Sequence, residues 1–436
     1  NTKTIKKNNL FFAIKGKKTD GHKFVKDAFK KGAIKSVVSK KTHEISNNKI
    51  IKVKNTFSSL NDLAKTTRDH VSAQIVGITG SVGKTTLKNL IGFALKNYGK
   101  TYFSPHSYNN KFGVPLSLSN LKKNTEYGVF EIGMDKKGEI NTLSKIVKPE
   151  IGVITNISEA HFKNFNTLKD IAKAKAEIID NISEEGTIVL NKDDKFFNFL
   201  FNKAKKKGLL VVSFSYKKKA DIFLLKTTKN KNNYKLKISV KNKIFHFNIN
   251  QNTESFTKNI LACISVLYVL NLDLIRIKKE FVNFSLPGGR GDIKIVKNFN
   301  KKFKLIDESY NANPLSMSSA IKNVSQYKRK GNFKKIALFG DMLELGNKTK
   351  RLHKELSKVI NSSDIDKVFV YGKHIKETFN LLSKSKRGKV FNNLKEASNH
   401  LSKFVNNNDL LVVKGSNATG LNQFSKNIKK GYISAI

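Results

Sequence analysis

Apolar positions along the chain change period several times, and each change predicts an element. The run Gln74-Ile75-Val76-Gly77-Ile78 predicts a short buried strand, whereas Leu87, Leu90, Ile91, Ala94, Leu95 and Tyr98 recur at the 3,4-spacing of a helix with one apolar face. A second stripe, Leu168, Ile171, Ala172, Lys175, Ile178, Ile179 and Ile182, has the same spacing and one lysine inside it. "YKLKISVKNKIFHFNI" alternates with period two, the pattern of a hairpin. Further strands are expected at "YGVFEIG", "IGVITNI", "GTIVLN" and "GLLVVSFS". Beyond "PGGRG", the strands "FKLIDES", "KKIALFGDM", "DKVFVYG" and "DLLVVKGS" alternate with helical stretches and predict a second parallel sheet. Before residue 73, "NLFFAIKG", "DGHKFVKDAFKKGA" and "IKSVVS" read as strand, helix, strand. The expected plan is α/β in three domains, 1–72, 73–287 and 288–436, with no internal repeat.

Between the buried strand and the first amphipathic helix lies "GITGSVGKTT". Strand, glycine loop and helix form the setting of a phosphate-binding loop. Glycines let backbone N–H groups converge on a polyphosphate, the helix N-terminus adds positive potential, Lys84 can neutralise phosphate oxygens, and Thr85 offers a hydroxyl to Mg²⁺. The strict G-x-x-x-x-G-K-[ST] spacing is not kept, because residue 78 is Ile; Gly77, Gly80 and Gly83 are spaced by three instead. A glycine turn that binds nothing would not require Lys-Thr at the helix start.

Composition narrows the classes. The chain of 436 residues is too long for one ordinary core, and its 39% hydrophobic content suffices for globular folding. The single Cys263 excludes an internal disulfide and suits a reducing compartment. The apolar stretch at 260–275 is interrupted by Asn271 and Asp273 and is too short to span a bilayer. With no secretory signal at the start, a cytoplasmic protein without a membrane span is expected. The formal net charge of +50 invites a nucleic-acid reading, but only six of the 83 basic residues are Arg and Lys is dispersed through every segment. That distribution is a bias of the whole sequence, so specific nucleic-acid binding is not expected.

The remaining candidates sit at strand ends, where open α/β sheets place ligands. Glu131 closes "YGVFEIG", and "TNISEAH" carries Glu159 and His161 past the next strand. A carboxylate and an imidazole there could hold Mg²⁺ beside nucleotide phosphates. Lys175, on an apolar stripe, must either snorkel or have a local reason to lose its charge; Lys169 and Lys173 point elsewhere.

"GITGSVGKTT", "SYNNKFGVPLSL", "EIGM", "KPEIGVITNISEAHFKNF", "AKAKAEI", "LIDESYNANPLSM" and "LFGDMLELG" occur in order and together resemble the Mur ligases, from near the start to "VVKGS" near the end. The resemblance implies a small N-terminal α/β domain for a UDP-sugar, a central phosphate-loop mononucleotide-binding domain on a parallel sheet, and a C-terminal Rossmann-like domain closing over the nucleotide. It implies an ATP-dependent amide ligase, with D-alanyl-D-alanine joined to UDP-N-acetylmuramoyl-tripeptide through an acyl phosphate, working as a monomer. On that pattern Gly80, Ser81, Gly83, Lys84, Thr85 and Thr86 hold ATP, and Thr85, Glu131, His161 and the carbamylated Lys175 hold Mg²⁺. Lys175 is carbamylated, Asn259 at the opening of a helix meets adenine, Arg290 reaches the γ-phosphate, and Glu308 meets the ribose. Asn109, Asn110, Tyr310, Asn311 and Asn313 are then expected near the reacting groups, with Lys84, His161, Lys175 and Arg290 as the catalytic set.

This sequence departs from the pattern in two places. An adenine-side motif reads "TESFTKN" and keeps only Asn259, and an expected Asp-Ser-Arg reads Asn1-Thr2-Lys3 with no strand before it. The second implies a weakened UDP site or an incomplete N-terminus. Two alternatives stay open: another amide ligase of the superfamily, including a folylpolyglutamate synthase-like enzyme, and a basic phosphate-loop ATPase acting on nucleic acid.

Overall fold

The computed structural model describes the chain except residues 1, 3, 17, 18, 41–44, 161, 231, 232, 329, 330 and 436, with backbone only for 432–435. Asn1, Lys3 and His161 therefore lie outside the described residues. Three sheets follow one another along the sequence. The first is parallel, in the order β1 (Asn9–Phe12), β2 (Ala33–Val38), β3 (Ile50–Lys52), and covers a small core of Phe11, Ala13, Val25, Ala28 and Val38.

The second sheet takes β4 (Gln74–Thr79), β5 (Thr101–Phe103), β6 (Tyr127–Glu131), β7 (Ile151–Ile154), β8 (Thr187–Asn191), β9 (Leu210–Ser215), β10 (Ile222–Lys229), β11 (Tyr234–Val240) and β12 (Lys243–Ile249). Its order is β12-β11-β10-β9-β8-β7-β4-β6-β5. Pairings from β5 to β10 are parallel, and β10, β11 and β12 then pair antiparallel. The expected hairpin is β11–β12, turned by Lys241 and Asn242, both at positive φ (44° and 69°), the backbone that a two-residue hairpin turn needs. After β4 the chain runs to the edge at β5, returns to β6 beside β4, and then crosses β4 to continue outward from β7 on the other side. β4 is therefore the topological switch point, and the loop that follows it opens into the crevice between its neighbours.

The third sheet takes β13 (Asp292–Asn298), β14 (Lys301–Glu308), β15 (Lys335–Gly340), β16 (Lys367–Tyr371), β17 (Arg387–Phe391), β18 (Leu410–Lys414) and β19 (Tyr432–Ala435), in the order β17-β16-β15-β18-β14-β13-β19. The four strands read from the sequence, β14, β15, β16 and β18, are parallel neighbours in it. β13 and β19 add an antiparallel edge that the apolar pattern did not announce. One apolar cluster runs from the second sheet into the third, joining Ile157, Phe162 and Phe165 to Ala312, Met342 and Leu345. No helix among the described residues is long and apolar enough to cross a membrane.

Three details differ from the sequence reading. The helix carrying Asn259 opens at Glu254, not at Asn259, because the Thr253 side chain accepts from the Phe256 N–H as N-cap; a polar first turn precedes the apolar run. The stripe through Lys175 is not one α-helix. It is α-helical over Leu168–Lys175 and tightens to a 3₁₀ helix over Ala176–Asn181, so Lys175 sits at the change of winding. The helix after the glycine loop ends at Leu95, leaving Tyr98 beyond it.

The helix Thr56–Asp69 leaves the first sheet and packs on the helices Gly113–Leu118 and Glu139–Val147 of the second. Arg68 pins it. Its buried guanidinium donates to Val147 O (2.9 Å), Lys148 O (2.9 Å), Val71 O (3.2 Å) and Glu150 Oε1 (2.5 Å), while Glu150 Oε2 accepts from the Ile75 N–H (2.7 Å) at the start of β4. Arg68→Ala orphans carbonyls and a carboxylate in one step. It is expected to cost about 3 kcal/mol, read as a lower midpoint in urea unfolding, with Arg68→Lys recovering only part because an ammonium cannot fork to four acceptors.

Candidate functional site

Between β4 and the helix Lys84–Leu95, Gly80 and Gly83 hold φ values of +140° and +92°. A Cβ at Gly80 would collide with the Thr155 hydroxyl. Gly83 is the helix N-cap and offers no side chain, so the first-turn N–H groups face the mouth of the loop. The loop is latched to the segment after β7. Asn156 accepts from Val82 N (3.1 Å) and donates to Val82 O (3.0 Å), Thr155 Oγ1 donates to Val82 O (2.6 Å), Ser81 N donates to Asn156 O (2.9 Å), and Ser81 and Ser158 exchange two hydrogen bonds. Lys84 curls back so that Nζ donates to Gly80 O (2.6 Å). With the Ser81 and Val82 N–H groups taken by Asn156, the donors left to the loop are those of the first helical turn, beside the Lys84 ammonium, and that arrangement fits a polyphosphate.

Glu131, at the end of β6, is 2% exposed. It accepts from Thr85 Oγ1 (2.6 Å), from Ser107 Oγ (3.0 and 3.1 Å to its two oxygens) and from Asn109 Nδ2 (2.7 Å). Burial alone would raise its pKa, but the charges of Lys84 and Arg290 and the bonds from Thr85 and Asn109 outweigh it and hold the carboxyl below its ordinary value. Lys84 is lowered, by burial first, with Arg290 adding to the effect and Glu131 opposing it. The described residues contain no group of three His, Cys, Asp or Glu able to hold a metal. A carboxylate beside two hydroxyls and a phosphate cradle nonetheless fits a hard cation that takes one or two protein oxygens and fills its shell from phosphates and water.

Lys175 is 1% exposed and has no hydrogen-bond or carboxylate partner among the described residues. Burial, and then the charge of Lys84, pushes its pKa well below that of an ordinary lysine, which favours the neutral amine. Lys173, two residues earlier, is exposed. Snorkelling is therefore not what Lys175 does.

The other expected residues divide. Asn259 lies against Gly83, where an added Cβ would come within 3.0 Å of its Oδ1. Thr86 is buried in the first helical turn. Arg290 packs its guanidinium over the Tyr310 ring (4.1 Å to the centroid), and both line a cleft of about 590 Å³ with Thr85, Ser107 and Phe284. Glu308 pairs with the buried Lys414 (3.3 Å), which also donates to Asn311 O (3.0 Å). Asn311 accepts from its neighbour Ala312 N, and Asn313 is engaged as N-cap of the helix Pro314–Gln326 in a capping box with Ser316. Asn110 likewise accepts from Phe112 N and Gly113 N. These asparagines are occupied in shaping turns. Glu159 lines a separate cleft of about 330 Å³ with Lys195 and Leu168. Ser107 and Asn156 were inside quoted motifs but had no assigned role; only the fold brings a serine 24 residues away onto Glu131.

The second and third sheets meet at a seam. Lys163 N donates to Glu344 O (3.0 Å), Lys348 Nζ donates to Asn166 O (2.8 Å), and the same ammonium sits 3.7 Å from the Phe162 ring centroid. Gly346 (φ +58°) backs onto Phe162 O, which an added Cβ would approach to 2.9 Å.

A phosphate loop at the switch point of a parallel sheet, faced across a seam by a second parallel sheet and preceded by a small third one, defines a three-part α/β nucleotide-binding protein. Comparison with known proteins narrows this. The family models for the Mur ligase middle domain, the Mur ligase glutamate ligase domain and the Mur ligase family catalytic domain match residues 78–267, 293–417 and 1–72. The chain is 32% identical over 424 residues to the UDP-N-acetylmuramoyl-tripeptide--D-alanyl-D-alanine ligase of Rickettsia prowazekii (97% of this chain, 93% of that protein). It is 33% identical over 439 residues to the ligase of the same name from Buchnera aphidicola subsp. Baizongia pistaciae (99% and 92%). Among solved structures it resembles MurF from Acinetobacter baumannii (TM-score 0.84, 25% identity, 99% and 92% covered) and the MurF ligase from Thermotoga maritima in complex with ADP (TM-score 0.81, 26% identity, 99% and 97% covered). The chain belongs to the Mur ligase family.

The seam gives a test by scattering. Gly346→Ala places a methyl against Phe162 O on a left-handed backbone and is expected to loosen the contact. Small-angle X-ray scattering should then show a larger radius of gyration than wild type, and identical dimensions would mean that the seam absorbs the methyl.

Proposed function

We propose that this chain joins D-alanyl-D-alanine to UDP-N-acetylmuramoyl-tripeptide with conversion of ATP to ADP and phosphate, as one step in making a peptidoglycan precursor. The observation that carries the reading is geometric: the buried Glu131 carboxylate accepts from Thr85, Ser107 and Asn109 beside the phosphate loop, where the charges of Lys84 and Arg290 bear on it. This sits in a chain that spans nearly the whole length of relatives named for that ligation, and a neighbour of the same fold was solved with ADP.

In this reading the terminal carboxylate of the peptide attacks the γ-phosphorus of ATP, giving an acyl phosphate and ADP. The free amine of D-alanyl-D-alanine then attacks the acyl carbon, loses a proton, and displaces phosphate to leave an amide. Lys84, the N–H groups of the first helical turn and Arg290 meet charge that grows on the transferring phosphoryl group. Gly83 and Asn259 border the nucleotide, and Tyr310 fixes the plane of Arg290. Thr85 and Glu131, with His161, would hold Mg²⁺, which supplies neutralisation of phosphate charge. A buried amine whose neutral form is favoured, with no partner among the described residues, can add CO₂ and lose a proton to solvent, so Lys175 would become a carbamate anion able to join that cation site. The seam excludes water that would hydrolyse an acyl phosphate. All these groups come from one chain, so a monomer suffices; the cytoplasm, which supplies ATP, is the compartment this reading requires.

Turnover with UDP-muramoyl-tripeptide and D-alanyl-D-alanine should yield ADP and inorganic phosphate, and AMP with pyrophosphate would exclude the mechanism. Lys84→Ala is expected to lower kcat by at least about 100-fold, since a desolvated contact to transition-state charge is worth several kcal/mol. Lys175→Ala should fold normally, lose most of its activity and regain part of it in acetate. Lys173→Ala should stay near wild type; equal losses in the two variants would remove the carbamate from the reading.

A further inference from the structure

Lys88 is a fully buried lysine, one helical turn past Lys84, that the chemistry above does not use. Its ammonium donates to Ser104 O, to Ser104 Oγ (3.1 Å) and to His106 O (3.0 Å). No carboxylate lies within ion-pair distance of it among the described residues. An unpaired cation in a core is costly, and an apolar side chain of the same length would fill the space. What the apolar side chain could not do is hold residues 104–106. That segment leaves β5 without regular structure and turns on Ser104, whose hydroxyl also donates to His106 O (2.9 Å). Within three further residues the chain delivers Ser107 and Asn109 to Glu131, and Ser107 lies 3.0 Å from Thr85 Oγ1. At its far end the segment is fixed by Gly133 N donating to Asn109 O (2.7 Å), beside Glu131. Lys88 is thus the anchor between the phosphate-loop helix and the segment that orients the Glu131 carboxylate.

We propose that Lys88 is a positioning residue for the divalent cation: by pinning residues 104–106 to the phosphate-loop helix, it sets Ser107 and Asn109, and through them the angle of Glu131 relative to Thr85. This rests on the reading that Thr85 and Glu131 hold the cation. Burial pushes the Lys88 pKa down to about 8, with Glu131 raising it and Arg290 lowering it, so the charge field of the site reaches this lysine. Hydrogen-bond partners of metal-ligating carboxylates govern affinity in the same way elsewhere, at roughly 10- to 100-fold per lost contact.

The test is Mn²⁺ binding to the protein–ADP complex, read by electron paramagnetic resonance, with ADP affinity in EDTA measured alongside. Lys88→Met should weaken Mn²⁺ about 10-fold and leave metal-free ADP affinity within about twofold, and Lys88→Arg should restore most of the loss. Because the effect runs through Ser107, Lys88→Met combined with Ser107→Ala should be clearly less than additive. Where Lys88→Met does not fold, Lys88→Gln, which keeps one donor, takes its place in the same cycle. Wild-type Mn²⁺ affinity in the Lys88 variants, or additive losses with Ser107→Ala, would overturn the proposal. Undiminished Mn²⁺ binding in Glu131→Gln would instead overturn the cation site itself, and the role of Lys88 with it.

Discussion

The buried Glu131 carboxylate is the constraint around which the site is arranged. A carboxylate at 2% exposure is tolerated only where hydrogen bonds and nearby cations replace the water it has lost. Here Thr85, Ser107 and Asn109 supply the bonds, and Lys84 and Arg290 supply the charge. Those five residues come from the phosphate-loop helix, the segment after β5 and the linker before the third sheet. Stabilising one anion therefore fixes three otherwise independent pieces of chain against one another, and with them the shape of the cradle.

The same field explains Lys175. Two cations share a desolvated region with one carboxylate already engaged, so a further ammonium there is disfavoured twice, by burial and by Lys84. The helix ends its α-winding at that residue, and the side chain stays 1% exposed instead of reaching solvent. The seam at Phe162, Lys163 and Asn166 lies in the stretch between His161 and that helix, so the contact made by the third sheet bears on the segment that delivers Lys175. The contact between the two sheets and the cationic site are thus joined by one short stretch of chain.

Local pattern settled a good part of this in advance, because short-range sterics and burial govern it. The strand before Gly80, the need for glycine at 80 and 83, the lysine and threonine at the helix start, and the out-of-place Lys175 all follow from residues close in sequence. So do the hairpin at 241–242 and the four core strands of the third sheet, since period and turn residues are local properties. The edge strands β13 and β19 were not legible: β13 joins β14 through a tight turn at Phe299 and Asn300 but is only half-buried along most of its length, and β19 finds its partner β13 more than a hundred positions away.

What only the tertiary structure decided is which polar groups meet. Asn311 and Asn313 carried a motif that pointed to the reacting groups, yet their side chains are taken up by a local backbone bond and a helix cap, while Ser107 and Lys88, unremarkable in sequence, converge on the Glu131 network. Periodicity reports whether a side chain is buried; it carries no information about the partner it is buried against. For apolar residues that partner hardly matters, so the sequence determined strands, helices and the phosphate loop. For a buried charge the partner is the whole energy, and partners 20 to 200 residues away are assigned by the packing of three sheets.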